Sequence, residues 1–299
     1  MRTSLDCLPC IVRQAVDASR MVMADEPTVL KIMKIVFERL ACLNLAATPP
    51  EIVREVHAVI RRELHDVDPF LSIKKKSTQR ALDIAGSAKV AIESAGNPFA
   101  AAVAFSIAGN ILDFGMRSEW NEALIAESFS KALECSLKFD DTALARFHDE
   151  IATADMVLVL GDNAGEAVFD RLLIEHFPRR KKVFYAVKSS PVINDATRED
   201  AVEASIAEVA EIIANGADIP GTMLGECSEE FLRIFHTADV VISKGQGNFE
   251  TLNEAKRKIW FLFQVKCPVI AKHYAYSVGD WMILEKSRND SGCTSQPPR

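Results

Sequence analysis

The hydrophobic pattern changes its period near residue 154, and this change constrains the fold more than any other feature of the chain. Before it, apolar residues recur at three- and four-residue spacing, which is typical of one helix after another. After it, short apolar runs such as 156–160 alternate with helical segments. Strands that are apolar on both faces belong to a mostly parallel sheet with helices on both sides. The pattern therefore predicts an α/β fold with a helical N-terminal region.

This change of period also predicts how the chain is divided. A length of 299 residues allows one large domain or two modest ones. We predict a helical region over 1–153, an α/β domain over 154–288 and a polar, proline-containing tail over 289–299. Six apolar runs predict strands, at 156–160, 183–187, 209–213, 240–242, 259–265 and 281–284.

The charge balance argues against a nucleic-acid partner. The formal net charge is −7, and the only dense basic runs are 179–182 and 74–76, which we interpret as solvated segments. No apolar stretch has the length of a signal peptide core or a membrane span, so we expect a cytoplasmic protein without a membrane partner. Seven scattered cysteines in such a chain favour free thiols over a disulfide framework.

Polar residues follow the first and second predicted strands. Asp162 and Asn163 lie in the turn 161–166 (GDNAGE), and Asp195 lies in a loop after the second run. Ligands bind at the carboxyl ends of parallel strands, and carboxylate and amide oxygens suit a hard cation such as Mg²⁺ or Mn²⁺. The structural alternatives are a helix-capping Asp–Asn turn for the first segment and an N-cap for Asp195.

The fourth predicted strand ends in 243–250 (SKGQGNFE). Lys244 offers an ammonium group, and Gly245 and Gly247 leave backbone N–H groups open to a phosphate. The segment is neither a Walker loop nor a full dinucleotide fingerprint, and a simple glycine turn is the alternative. Cation ligands and anion donors at neighbouring strand ends together favour a divalent metal with a phosphate ester.

At these residues the sequence resembles the metal-dependent damage-control phosphatase family. Segments 161–166, 194–197 and 243–250 look like successive motifs of that family, and the start 6–10 (DCLPC) is similar to its short prokaryotic branch. Further segments also match in order, namely 68–70, 109–110 with Asp113, and 265–268. The resemblance spans nearly the whole chain.

The resemblance implies a helical part packed on a Rossmann-like α/β domain. It implies hydrolysis of small phosphorylated metabolites, such as sugar phosphates, phosphopantetheine-type compounds or damaged metabolites, with one divalent cation (Mg, Mn, Co or Ni). By matching position it assigns metal ligands to Asp162, Asn163 and Asp195, phosphate binding to Lys244, and an approach from the helical part to Asn110 and Asp113.

A carboxylate must orient or deprotonate the attacking water in such a site. Glu166 is one candidate and Asp162 is the other. The structural alternative for Glu166 is a first-turn glutamate that merely suits the helix dipole.

Cys7 and Cys10 stand apart as the one closely spaced thiol pair. They could hold a second metal or form a redox pair, or they could be two small thiols at a helix start. Two other functions therefore stay open from the residues alone: a nucleotide-binding Rossmann-type protein, and a Cys-x-x-Cys zinc-binding module without hydrolase activity.

Overall fold

In the computed structural model, helices are the only regular elements among the described residues up to Thr153. The structure describes residues 2–21, 23–65, 68–109, 122–177, 181–274 and 276–286. The N-terminal helices are α1 (Cys7–Met21), α2 (Glu26–Ala41), α3 (Pro49–Leu64), α4 (Leu71–Glu93), α5 (Pro98–Gly109), α6 (Glu122–Ser136) and α7 (Asp141–Thr153). The predicted tail 289–299 lies outside the described residues, and the division into domains stays a prediction.

Local capping explains where these helices begin. Thr48 precedes Pro49 and donates its backbone N–H to Glu51 Oε2 over 2.6 Å, so α3 starts with a reciprocal cap and a proline in its first turn. Asp25 Oδ1 accepts the N–H of Thr28 over 3.0 Å at the start of α2.

A six-stranded sheet follows, in the order β3-β2-β1-β4-β5-β6. Its strands are β1 (Met156–Leu160), β2 (Lys182–Val187), β3 (Glu211–Ala214), β4 (Val240–Lys244), β5 (Ile259–Gln264) and β6 (Trp281–Lys286). The first five are parallel and β6 is antiparallel to β5. The intervening α-helices are α8 (Glu166–Glu175), α9 (Arg198–Glu203), α10 (Glu229–Thr237), α11 (Gln246–Leu252) and α12 (Pro268–Tyr274). The mostly parallel α/β architecture is confirmed.

Both faces of the sheet are buried, as the continuous apolar runs predicted. Val157 and Val159 of β1 face a core formed with α4, α5, α7 and α8. Leu158 and Leu160 face a second core formed with α10, α11 and α12. Several strand boundaries differ from the predicted ones by one or two residues. The third strand, for example, starts at Glu211, because Val209 closes a short 3₁₀ turn instead of extending the strand.

Helices α1, α2 and α3 form a third apolar cluster, which reaches the loop after β2. Ile193 of that loop packs against the cluster and has a φ of 49°, which is an unusual conformation for a β-branched residue. Arg61 of α3 donates to the carbonyl oxygen of Pro191 over 3.3 Å. The N-terminal helices therefore contact the loop that carries Asp195.

His57 of α3 lies beneath this contact and is only 1% exposed. Its ring packs against Phe70 with the ring centroids 5.6 Å apart, and neither ring nitrogen has a hydrogen-bond partner within the described chain. Burial, with a smaller effect from the charge of Arg61, lowers the pKa of His57 to about 3. The residue is thus a neutral packing histidine. None of the described helices combines the length and apolarity needed to cross a bilayer.

Candidate active site

The carboxyl ends of β1 and β4 meet at the point where the strand order reverses. Gly161, Asp162 and Asn163 follow β1, and Gly245 follows β4 with a φ of 76°. A Cβ atom on Gly245 would lie 1.9 Å from Asp162 Oδ2, so the Asp162 carboxylate fills the space that a side chain would need. Only glycine suits both the backbone angle and this close approach.

Asn248 of α11 ties these two strand ends together. Its Nδ2 donates to the carbonyl oxygens of Gly161 (3.1 Å) and Lys244 (2.8 Å). Its Oδ1 accepts the hydroxyl of Thr222 over 2.7 Å. The side chain is fully buried, and its bonds hold the β1 and β4 turns in fixed register.

The loop after β2 pairs with the loop after β1. Asn163 and Asp195 form an isolated antiparallel bridge. The N–H of Ala196 donates to the carbonyl oxygen of Asp162 over 2.8 Å, and the N–H of Ala164 donates to that of Asn194 over 2.9 Å. The structure therefore brings Asp162, Asn163 and Asp195 to one place, although two of them are more than 30 residues from the third in sequence.

Asp195 is a buried carboxylate that is 5% exposed. Its Oδ2 has no hydrogen-bond partner among the described residues and lies 3.5 Å from Lys188 Nζ. Burial raises the pKa of Asp195 to about 7, against the opposing effect of Lys188. Lys188 Nζ also donates to the carbonyl oxygen of Gly221. A buried carboxylate oxygen that accepts no hydrogen bond is suited to act as a ligand of a cation.

Helix capping does not account for these polar residues. Thr197 is the N-cap of α9, and its N–H and hydroxyl both donate to Asp200 Oδ2, at 2.9 and 2.8 Å. Gly165 is the N-cap of α8 and makes no side-chain cap. The N-cap alternative for Asp195 is therefore wrong, and in the 161–166 turn the N-cap position belongs to Gly165.

The sequence predicts that Lys244 offers its ammonium group to a phosphate, but the structure shows this side chain to be fully buried. Its ammonium donates to the Ser106 carbonyl oxygen (3.0 Å), to Asp170 Oδ1 (2.6 Å) and to Glu166 Oε1. These three acceptors match its three hydrogens. Binding a phosphate would require Lys244 to exchange one of them.

Glu166 begins α8 and points into this buried cluster. Burial raises the pKa of Glu166 to about 8, with Lys244 opposing and the carboxylates of Asp170 and Asp162 adding to the rise. Glu166 therefore forms a buried ion pair with Lys244 in addition to its favourable position at the start of a helix. Gly109 packs closely here, since a Cβ on it would lie 3.2 Å from Glu166 Cγ. Asn110 and Asp113, which follow Gly109, lie outside the described residues.

The interpretation of the 74–76 run as solvated is wrong for its first residue. Lys74 is 1% exposed and its ammonium contacts Asp68 Oδ2 (2.8 Å) and Asp200 Oδ2 (2.9 Å). Burial opposes its charge, but the hydrogen bonds to Asp200 and Asp68 outweigh that effect and raise the pKa of Lys74. Lys75 and Lys76 are exposed as expected.

Cys7 and Cys10 lie in the first turn of α1 as free thiols, the first buried and the second exposed. Burial, then the neighbouring thiols of Cys267 and Cys7, raise the pKa of Cys10, whereas an activated redox thiol needs a lowered one. Across the part of the chain that is described, no three side chains drawn from His, Cys, Asp and Glu converge as a metal would require. Among the described residues, a zinc site on this pair thus lacks its further ligands.

Sequence reasoning missed three buried charged residues near the site: Lys188, Asp170 and Lys74. Two of them carried a readable signal. Asp170 stands four residues after Glu166 and so shares its helix face, and Lys74 stands seven residues before the apolar Ala81 and so shares the face of that residue. Their partners come from distant segments, which no local pattern indicates.

The family model, the relatives in sequence and the solved structure that resemble this chain all point to one family. The sequence model of the damage-control phosphatase ARMT1-like domain matches residues 3–281. A damage-control phosphatase of Pyrococcus horikoshii is 33% identical over 91% of this chain and 94% of its own. One of Archaeoglobus fulgidus is 30% identical over 94% and 98%.

An uncharacterized protein of Methanocaldococcus jannaschii is 33% identical over 94% of each chain. The crystal structure of a DUF89 family protein from Pyrococcus horikoshii superposes with a TM-score of 0.86 at 32% identity, covering 95% of this chain and 99% of that one. The likeness therefore extends over both the helical and the α/β parts.

Proposed function

Since this chain belongs to the damage-control phosphatase ARMT1-like family, we propose that it is a divalent-cation-dependent phosphatase of small phosphorylated metabolites. Sugar phosphates and phosphopantetheine-type compounds are the first substrates to consider. The observation that carries the proposal is the convergence of Asp162, Asn163 and Asp195 beside the strand end that bears Lys244.

Asp162, Asn163 and Asp195 would hold the cation. Two carboxylates and an amide oxygen form a donor set that suits Mg²⁺, Mn²⁺, Co²⁺ or Ni²⁺. The buried Asp195 Oδ2, which has no hydrogen-bond partner in the described chain, fits this role. A bound divalent cation would supply positive charge to the phosphoryl group and lower the pKa of an attacking water.

The phosphate would lie against the β4 turn. Lys244 would bind a phosphoryl oxygen, and the backbone at Gly245 and Gly247 would approach the remaining oxygens. Negative charge grows on the transferred group during hydrolysis, so fixed donors at this position stabilise the transition state more than the substrate. Asn110 and Asp113 are proposed to approach the same group from the helical side.

A carboxylate beside the phosphate must accept the proton of the attacking water. Glu166 is proposed for this role because it contacts Lys244 and begins α8, and its backbone N–H donates to the carbonyl oxygen of Asn163 over 3.1 Å. Asp162 is the other candidate. The water oxygen bonds to phosphorus, the ester P–O bond breaks, and the alcohol oxygen receives the proton.

The test is release of inorganic phosphate by metal-stripped protein with each divalent ion added back. The substrates are a panel of sugar phosphates, phosphopantetheine compounds and an aryl phosphate. We expect release that needs a cation and falls at least about a hundredfold in Asp162→Asn. Asp149→Asn, an exposed carboxylate on α7, is the matched control and should behave like wild type.

Unchanged release in Asp162→Asn would contradict the assignment of Asp162. Folded wild-type protein that neither releases phosphate from the panel nor binds a divalent ion would contradict the proposed function.

A further inference from the structure

Lys188, the first residue after β2, places a second buried ammonium group in the crevice, and its side chain is 3% exposed. Its backbone is fixed, because its N–H donates to the carbonyl oxygen of Ala196 over 2.9 Å and the residue forms an isolated parallel bridge with Thr197. Burying a charged lysine costs free energy. Its place beside a proposed cation ligand therefore calls for a reason.

The Lys188 ammonium has hydrogens to spare. Among the described residues it donates one hydrogen bond, to the carbonyl oxygen of Gly221. Its Nζ lies 3.5 Å from Asp195 Oδ2, which is too far for a second strong bond. Lys244 differs, because all three of its hydrogens have acceptors. An anion can thus bind to Lys188 while the ammonium keeps its bond to Gly221.

Gly221 keeps this ammonium close to the β4 turn. Its φ is 76°, and a Cβ there would lie 2.4 Å from the carbonyl oxygen of Gly247, so the two backbones touch. The hydroxyl of the next residue, Thr222, donates to Asn248 Oδ1 over 2.7 Å. The segment is therefore fastened to α11, and the position of Lys188 relative to the glycines of the β4 turn is fixed.

The Lys188 ammonium lies between two parts of the proposed site. Asp195, a proposed cation ligand, is on one side of it, and the turn that contains Gly247 is on the other. Lys244 contacts α5 and α8, which cover one face of the sheet, whereas Gly221 packs against α11 on the other face. The two ammonium groups therefore approach the proposed phosphate position from different sides.

The contact with Asp195 links Lys188 to the cation. When Asp195 shares its negative charge with a divalent cation, the nearby Lys188 ammonium faces a like charge. A phosphoryl group beside the ammonium removes this repulsion, because its negative oxygens attract both positive charges. Lys188 thus disfavours the cation alone and favours the cation together with phosphate.

We propose that Lys188 is a phosphate-binding residue, whose ammonium donates to an oxygen of a phosphate monoester or of inorganic phosphate. The inference rests on the proposed function, because it takes the phosphate to lie against the β4 turn. Binding involves hydrogen bonds and charge alone, and no covalent bond changes. A buried ammonium with a single hydrogen-bond partner in the described chain binds such a group more strongly than a solvated one would.

Lys188→Met tests the proposal, with Lys182→Met as the matched control. Methionine keeps a long side chain without the charge, and Lys182 begins the same strand with its side chain 57% exposed. We expect the Kd of inorganic phosphate, measured by calorimetry with saturating Mn²⁺, to rise at least about tenfold in Lys188→Met. It should not change in Lys182→Met. An unchanged Kd in Lys188→Met would overturn the proposal.

The Kd of Mn²⁺ measured without phosphate separates phosphate binding from a merely structural role. If Lys188 only held Asp195 in place, its loss would weaken Mn²⁺ binding and leave the phosphate affinity of the Mn²⁺-saturated protein unchanged. A phosphate ligand that repels the cation gives the opposite result, so Lys188→Met should bind Mn²⁺ as tightly as wild type or more tightly. Weaker Mn²⁺ binding in this variant would contradict the proposal.

A neutral variant with a remaining donor covers the case in which Lys188→Met does not fold. Lys188→Gln keeps an N–H group for the carbonyl oxygen of Gly221 and should raise the phosphate Kd to a similar extent. An unchanged Kd there would equally overturn the proposal.

Failure of the proposed function has a different signature. Wild-type protein that neither binds phosphate in the presence of Mn²⁺ nor releases it from the substrate panel would refute the proposed function and the role of Lys188 together. Wild-type protein that releases phosphate, with Lys188→Met binding phosphate equally well, would refute the role of Lys188 alone.

Discussion

The carboxylate of Asp162 lies in the space that a side chain on Gly245 would occupy, with Oδ2 only 1.9 Å from the position of the missing Cβ. The two residues lie just after neighbouring strands, β1 and β4, and are 83 positions apart. The absence of a side chain at Gly245 thus allows the carboxylate of Asp162, a proposed metal ligand, to occupy its position.

Gly245→Ala should displace the Asp162 carboxylate and strain the backbone, which has a φ of 76°. We expect phosphate release to fall about a hundredfold, as for other small displacements of reacting groups. Gly225→Ala is the matched control, because nothing lies within 4 Å of a Cβ there. Equal activity of the two variants would show that Asp162 has room to move without loss of function.

Asp195→Asn should remove the stabilisation that a divalent cation gives to the folded chain. A ligand that binds only the native state at a hundred times its Kd stabilises it by about 2.7 kcal/mol. We expect Mn²⁺ to raise the urea midpoint of wild type and of Asp149→Asn, and to leave that of Asp195→Asn unchanged. A full Mn²⁺ response in Asp195→Asn would exclude Asp195 as a ligand.

Lys74→Met should destabilise the fold strongly, because it leaves Asp68 and Asp200 without the buried ammonium between them. Breaking a buried ion pair from one side costs roughly 3–5 kcal/mol. Lys75→Met, on the exposed face of the same helix, should change the free energy of unfolding by less than about 0.5 kcal/mol. Denaturant titration at neutral pH gives the free energy of unfolding of both variants, and equal values would contradict the prediction.

His57 should make the protein sensitive to acid. Its pKa is about 3 in the fold against 6.5 ordinarily, so between these pH values the unfolded chain binds a proton that the native chain does not. The free energy of unfolding should therefore fall by about 1.4 kcal/mol per pH unit on acidification through that interval. In His57→Leu this contribution should vanish, and identical pH profiles of stability for the two proteins would refute it.

The strand ends were predictable because their information is local. A buried apolar run followed by Gly, Asp and Asn marks both the end of a strand and the chemistry that follows it, and 161–166 and 243–250 were located in this way. The rule that parallel strand ends share one edge predicts that Asn163 and Asp195 lie in the same crevice, but it does not predict the bridge between them.

Buried charge was harder to predict. The sequence predicts that Lys244 offers its ammonium group to a phosphate and that Lys74 is solvated, yet both are buried in ion pairs. Their partners Asp170 and Asp200 lie 74 and 126 residues away. Helical spacing could have placed Lys74 on a buried face, but no pattern in one sequence gives the charge that faces it.

The contact between Arg61 and Pro191 joins residues 130 positions apart. At ~5–20 residues per second, the ribosome releases α3 roughly ten seconds before the loop it will hold. The helices α1 to α3 can bury apolar side chains against one another in that interval. The loop bearing Asp195 is therefore synthesised after the helices that it contacts, so those helices can already be packed when the loop docks on them.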